Sequence, residues 1–268
     1  MAFDAFYLSA VLAEIRTFGE GRVDKIHQPS RDTLVLQLKH KEGRAKLLIA
    51  ANPAAPRLHL TTANPENPAE PPMFCMLLRK HLSGARLVEI SQPPMERCAS
   101  FTFDCIDEMG DAVQKKLVAE LMGKTCNIYL LGPDGRIIDC LRRIGLDAGA
   151  KRTALPGMYY QEPEPVEKQD PRAADLARIL STPGADLISD RLMDTLGGLS
   201  PLICREAALF AADDVDARVE GLDISATAEK LGLFITEHLQ HPTPCYYAQA
   251  DGTPKQFAFC PIRQYGSC

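Results

Sequence analysis

Two clusters of charged side chains in this chain could do chemistry, Glu96-Arg97 and Arg79-Lys80-His81. A guanidinium can fork onto a phosphate or stack on an unpaired base, and a neighbouring carboxylate can accept from an exocyclic amine. Together they suit an RNA loop whose bases are splayed. The same pair can equally form a surface ion pair worth little energy. The basic triplet reads either as a phosphate-contacting helix face or as a solvated one. Arg57, Lys124, Arg142 and Arg143 are single basic candidates for phosphate contact. No catalytic constellation accompanies them: P-loop, GxGxxG, GxSxG and HExxH patterns are missing, and the Ser, His and Asp residues show no triad spacing. Nine cysteines form no CxxC pair and have no His at zinc spacing, so they read as buried or stray thiols in a reducing compartment. No catalytic residue, metal or cofactor is expected.

Elements must hold these residues. Asp4 can cap a helix over residues 4–18, whose apolar positions Phe6, Tyr7, Val11, Leu12, Ile15 and Phe18 recur at helical spacing. Strands are expected over 22–28, 33–39 and 45–51, with a hairpin turn at Lys41-Glu42-Gly43-Arg44. A Pro-rich loop then delivers the chain to a helix at 72–83, where Pro71 and Pro72 suit the entry. Further strands are expected at 86–90, 99–103, 114–121, 127–131 and 136–139. His59, between Leu58 and Leu60, is expected to face solvent or a sheet edge, and Met73, Met76 and Met122 to fill core. Residues 150–171 read as an extended polar linker.

Beyond Pro171 the period turns helical, with helices expected at 175–180, 186–196, 201–210 and 225–240. Gly197-Gly198 ends one helix and Ser200-Pro201 starts the next. Such a turn can serve packing only, or its amides at Gly197, Gly198 and Ser200 can hold a phosphate. A β-hairpin around Asp251-Gly252 closes the chain.

The net charge is −5, with +1 in residues 1–150 and −6 in residues 151–268. Nucleic-acid binding by a global basic field is therefore excluded, and RNA contact must come from local clusters. The start of the chain has no secretory signal pattern and no window long enough to span a membrane, which argues against export by the usual route.

The segment Asn52-Pro53-Ala54-Ala55-Pro56-Arg57-Leu58-His59-Leu60-Thr61, the stretch Pro71-Pro72-Met73-Phe74-Cys75-Met76-Leu77-Leu78-Arg79-Lys80-His81-Leu82, Glu96-Arg97 and Glu120-Leu121-Met122-Gly123-Lys124 occur in one order and rough spacing. With them the chain resembles the N-terminal part of the NFACT family of ribosome-associated quality-control factors, some of which are labelled fibronectin-binding proteins. The resemblance covers nearly all 268 residues. It implies an α+β fold: a β-rich domain like the formamidopyrimidine-type DNA glycosylases over 1–170, a small helix-hairpin-helix domain over 171–242, and a β-hairpin over 243–268. In the family a coiled coil and an RNA-associated domain follow, so the chain is expected to be part of a longer protein.

The resemblance further implies binding to the large (50S) ribosomal subunit carrying stalled peptidyl-tRNA, and recruitment of alanyl-tRNA for template-free C-terminal Ala tailing, in the cytoplasm and away from membranes. Asp4 and Glu96-Arg97 match the family's acidic residue and its usual Asp-Arg pair, implicated in tRNA handling. Glu for Asp adds one methylene, shifting a contact by about 1 Å or more. Glycosylase chemistry does not transfer, because that reaction uses an N-terminal proline amine and this chain has Ala2 and Phe3. A nucleic-acid lyase with another nucleophile and a fibronectin-binding adhesin are the rival readings.

Overall fold

A computed structural model describes residues 3–41, 43–145, 152–165 and 167–266. Ala2, Glu42, Lys151, Val166 and Cys268, which figure in the expectations above, lie outside the described residues. The chain forms two compact units that do not follow chain order. One is built from residues 11–93 and 97–164, the other from 1–10, 94–96 and 165–268.

The first unit is a nine-stranded antiparallel sheet. Its strands are β1 (Arg22–Ser30), β2 (Thr33–His40), β3 (Gly43–Ala50), β4 (Arg57–Leu60), β5 (Arg86–Ser91), β6 (Cys98–Ile106), β7 (Ala112–Glu120), β8 (Asn127–Leu131) and β9 (Ile137–Cys140). Their spatial order is β4-β3-β2-β1-β5-β6-β7-β8-β9. Alternation makes the strands: Leu34, Leu36 and Leu38 of β2 all turn to the buried side, while Val35 packs with Leu48 and Ala50 on the opposite face. β1 meets β5 at Arg22↔Arg86, with Val23 N donating to Ala85 O and Leu87 N to Gly21 O beside it.

The helix α2 (Met73–Leu82) buries Phe74, Cys75, Leu78 and Leu82 as one stripe and packs on β1, β6 and β9. The expected core role of Met73 and Met76 is corrected: both lie off that stripe and are 76% and 49% exposed. Met122 is half-buried.

Residues 152–160 do not form the expected free linker. Ala154 exchanges backbone hydrogen bonds with Ile144, and Ile137 and Tyr160 bond the backbone of Met158 and Gly135. Glu120, fully buried, receives Arg152 Nη1 at 2.9 Å and Nη2 at 2.7 Å, and the Tyr160 hydroxyl at 2.8 Å. The segment is a strap on the β7–β9 side of the sheet, because a carboxylate buried in β7 needs hydrogen-bond donors to offset its lost solvation.

In the second unit, α3 (Leu176–Ser181), α4 (Ile188–Thr195), α5 (Pro201–Ala212) and α6 (Ile224–Gln240) surround a core that includes Leu192, Ile203, Leu231 and Phe234. Asp175 caps α3 and Asp223 caps α6, each accepting from the backbone N–H three residues on. The hairpin β10 (Cys245–Ala248) and β11 (Pro254–Ala258) shares this core through Tyr247, Ala258 and Phe259. Buried Glu206 of α5 accepts from the backbone N–H groups of Arg263 and Gln264, tying down the turn beyond the hairpin. The helix α1 (Ala5–Thr17) contributes residues 5–10 to this unit and 11–17 to the sheet unit. Among the described residues no helix is long and apolar enough to cross a membrane.

Candidate functional site

Asp4 stands just before α1 because its side chain satisfies an orphan donor of the first turn. Oδ1 accepts from Tyr7 N at 2.9 Å, and Oδ2 accepts from Ser200 Oγ at 2.9 Å. Asp4 is 4% exposed, so its carboxylate is an internal brace between the start of α1 and the start of α5. The neighbouring Ala5 N–H donates to Gly198 O at 3.1 Å, extending that brace to the α4–α5 turn.

The turn itself is closely packed. A Cβ at Gly197 would stand 2.8 Å from Met95 Sδ, and one at Gly198 2.9 Å from Phe6 Cε2 and 3.2 Å from Met95 Cα. Gly198 has φ +77°, a left-handed conformation that also favours glycine. The Gly197 N–H donates to Gln169 O at 2.9 Å, so that amide is already used inside the unit. Asp4, Glu96, Gly197, Gly198 and Ser200 are thus gathered into the one unit that also holds Met95.

Sequence reasoning did not single out Met95. It has φ +59°, rare for a residue with a long side chain, and it immediately precedes Glu96. Its thioether and main chain fill the space left by the two glycines. The available signal was the Pro93-Pro94 pair, which stiffens the approach to a sharp turn. Arg97 belongs to the sheet unit, where its carbonyl accepts from Leu121 N at 2.8 Å at the head of β6. Among the described residues no hydrogen bond or ion pair engages its half-buried guanidinium.

The basic triplet on α2 is not a uniform open face. Arg79 Nε donates to Ile26 O of β1 at 2.8 Å, and Lys80 pairs with Glu108. His81 Nδ1 lies 3.0 Å from the Nζ of Lys115, a lysine only 6% exposed. Burial first, then the charges of Lys115 and Lys80, lower the His81 pKa, leaving a neutral ring whose Nδ1 accepts from the ammonium.

Arg142 is engaged as well. Its guanidinium pairs with Asp32 and donates to the carbonyls of Cys126 and Ala51, the latter at 2.8 Å. Those bonds link the segment after β9 to the β1–β2 turn, the end of β3 and the residue before β8. Arg143 forks onto Asp139 yet keeps 58% of its side chain exposed. Arg57 Nη1 donates to Ala55 O, and Lys124 is exposed in a short 3-10 turn at Gly123–Thr125. His59, on edge strand β4, is half-buried with Nδ1 beside Leu60 O.

Burial pushes the thiols up, Cys126 to about 11 and Cys140 and Cys204 to about 12, which makes them poor nucleophiles. Among the described residues no group of three His, Cys, Asp or Glu could hold a metal. The arrangement offers charged side chains on hydrogen-bonded supports.

The family model described as NFACT N-terminal and middle domains matches residues 4–268. The chain is 37% identical over 213 residues to the Rqc2 homolog RqcH of Bacillus subtilis, covering 77% of this chain and 37% of that protein. With the Rqc2 homolog RqcH of Streptococcus pneumoniae it shares 32% over 263 residues, covering 96% and 44%. It therefore spans less than half the length of these relatives. The solved N-terminal part of the fibronectin/fibrinogen-binding protein from Streptococcus suis superposes with a TM-score of 0.80 at 29% identity, covering 99% of this chain and 92% of that one.

Proposed function

The chain belongs to the NFACT family, and on that premise we propose that it is the N-terminal part of a ribosome quality-control factor acting in the cytoplasm. In this reading the full protein binds the large ribosomal subunit with its stalled peptidyl-tRNA. It recruits alanyl-tRNA for template-free Ala tailing of the nascent chain. The sheet unit is the glycosylase-like domain, and α4 with α5 is the helix-hairpin-helix module. Glu96 and Arg97 handle tRNA, with Asp4 bracing the α1–α5 contact in the unit that carries Glu96.

The observation that carries the reading is the support of that acidic position. Met95 is locked in a left-handed conformation on the Gly197-Gly198 turn, so Glu96 leaves it from a fixed backbone. Arg97 follows at the head of a hydrogen-bonded strand with its guanidinium uncommitted. Chemistry of this kind is positional: the ribosome forms the peptide bond, and the factor supplies orientation of a bound aminoacyl-tRNA. Arg79, Lys80, His81, Arg57, Lys124, Arg142 and Arg143 are secondary phosphate contacts in this reading. Lys124, Lys80 and Arg143 are the exposed ones among them, Lys80 keeping 62% of its side chain exposed beside Glu108 and Arg143 58% beside Asp139.

A second reading, an adhesin for matrix proteins, is favoured by the description of the Streptococcus suis structure. Sedimentation of full-length protein with large subunits discriminates the two. The main reading expects co-pelleting with subunits and tRNA; failure to pellet, together with saturable binding of fibronectin to intact cells, supports the adhesin instead.

A further inference from the structure

Gln28 is 5% exposed, and no protein donor among the described residues reaches its Oε1. The orientation of the amide is dictated by its other end, since Nε2 donates to Arg31 O at 3.2 Å; exchanging the two atoms would set oxygen against oxygen. Gln28 sits in an irregular stretch of β1, where the register with β2 shifts between His27 and Ser30 across Pro29. Such bulges re-aim side chains. Here the side chain lines a groove of about 590 Å³ in the sheet unit, bounded also by Arg31, Pro68, Pro72, Met73 and Arg143. That volume lies in the roughly 300–1,000 Å³ span of small-ligand sites.

The groove combines three chemistries. Its inner wall offers a buried acceptor without a donor. The mouth has two guanidiniums: Arg31, which among the described residues makes no side-chain hydrogen bond or ion pair, and Arg143, which remains 58% exposed while forked onto Asp139. The Asp139 carboxylate is already occupied by Arg143 and by the Cys140 N–H, so it does not repel an incoming anion as an unpaired charge would. Finally, Pro72 and Met73, a residue 76% exposed, supply an apolar wall.

We propose that this groove binds one unpaired nucleotide whose base carries an exocyclic amine, the amine donating to Gln28 Oε1 and the phosphate meeting Arg31 and Arg143. Stacking on Pro72 and Met73 holds the base plane, as apolar faces do for splayed single-stranded bases. Uracil fits poorly, because its one ring N–H is flanked by carbonyl oxygens that would approach the same acceptor. The site is independent of the Glu96 and Arg97 assignment, and it stands or falls without the tailing reading.

The test is calorimetric titration of the 268-residue chain with adenosine 5′-monophosphate and with purine riboside 5′-monophosphate, which lacks only the amine. Adenosine monophosphate is expected to bind at least about ten-fold more tightly. Gln28→Leu should abolish that difference, and Arg31→Ala, a change at an exposed side chain that leaves the fold intact, should weaken both nucleotides several-fold. Equal binding of the two nucleotides to the wild-type chain overturns the proposal. So does binding unaffected by Arg31→Ala, absence of binding at millimolar nucleotide, or a peptide rather than a nucleotide displacing solvent from the groove. If Gln28→Leu fails to fold, the two-nucleotide comparison and Arg31→Ala still decide.

Discussion

At the scale of single residues, burial and backbone geometry decide what a substitution costs. Gly198→Ala places a Cβ at φ +77° and against Phe6 and Met95, and is expected to destabilise by about 2–4 kcal/mol. Gly252→Ala, at φ +82° with open space around it, should lose only about 1–2 kcal/mol. Urea midpoints of the two variants check the contrast. His81 carries a pH dependence whose sign follows from its lowered pKa. Above the ordinary imidazole value of 6.5 both folded and unfolded rings are neutral, and its full contribution is present. As pH falls below that value the unfolded ring takes up its proton first, so stability declines until the folded ring protonates too. His27 and His238, also lowered by burial, act in the same direction. The urea midpoint should therefore fall between about pH 7.5 and about pH 5.5, and His81→Gln should flatten that fall. A midpoint rising toward acid would contradict the neutral-ring assignment.

Elements are where the sequence was most legible. The apolar runs of β2 and β3 and the single stripe of α2 come directly from the residues, and the observed helix, Met73–Leu82, lies inside the expected 72–83. Spacing does not say which neighbour covers which face. Met73 and Met76 look like core by composition, yet they lie off the stripe of Phe74, Cys75, Leu78 and Leu82 and remain exposed. The strap at 152–160 was illegible for a different reason. Its anchor is one buried carboxylate, Glu120, whose donors Arg152 and Tyr160 are 32 and 40 residues away in sequence, and no local pattern announces such a pairing. Glu120→Ala strands Arg152 half-buried without its partner and should cost about 3–5 kcal/mol. Limited proteolysis should then cut within 152–160, which stays protected in the wild type; an unchanged digestion pattern would show that the strap is held by other contacts.

At the scale of the whole chain, a formal charge of −5 gives no long-range basic field, and any nucleic-acid contact falls to local clusters. The family was legible because its motifs are contiguous: the segment around Arg57 and the α2 helix each fit within about a dozen residues. The supports of Glu96 were not, since they join residues 4, 95, 198 and 200 through folding alone. Full-length protein with Glu96→Ala and Arg97→Ala is the most direct test, assayed on purified large subunits bearing stalled peptidyl-tRNA and supplied with alanyl-tRNA. The account predicts that the double variant still co-sediments with the subunits while Ala addition falls to background. Tailing at the wild-type rate by that variant would contradict it.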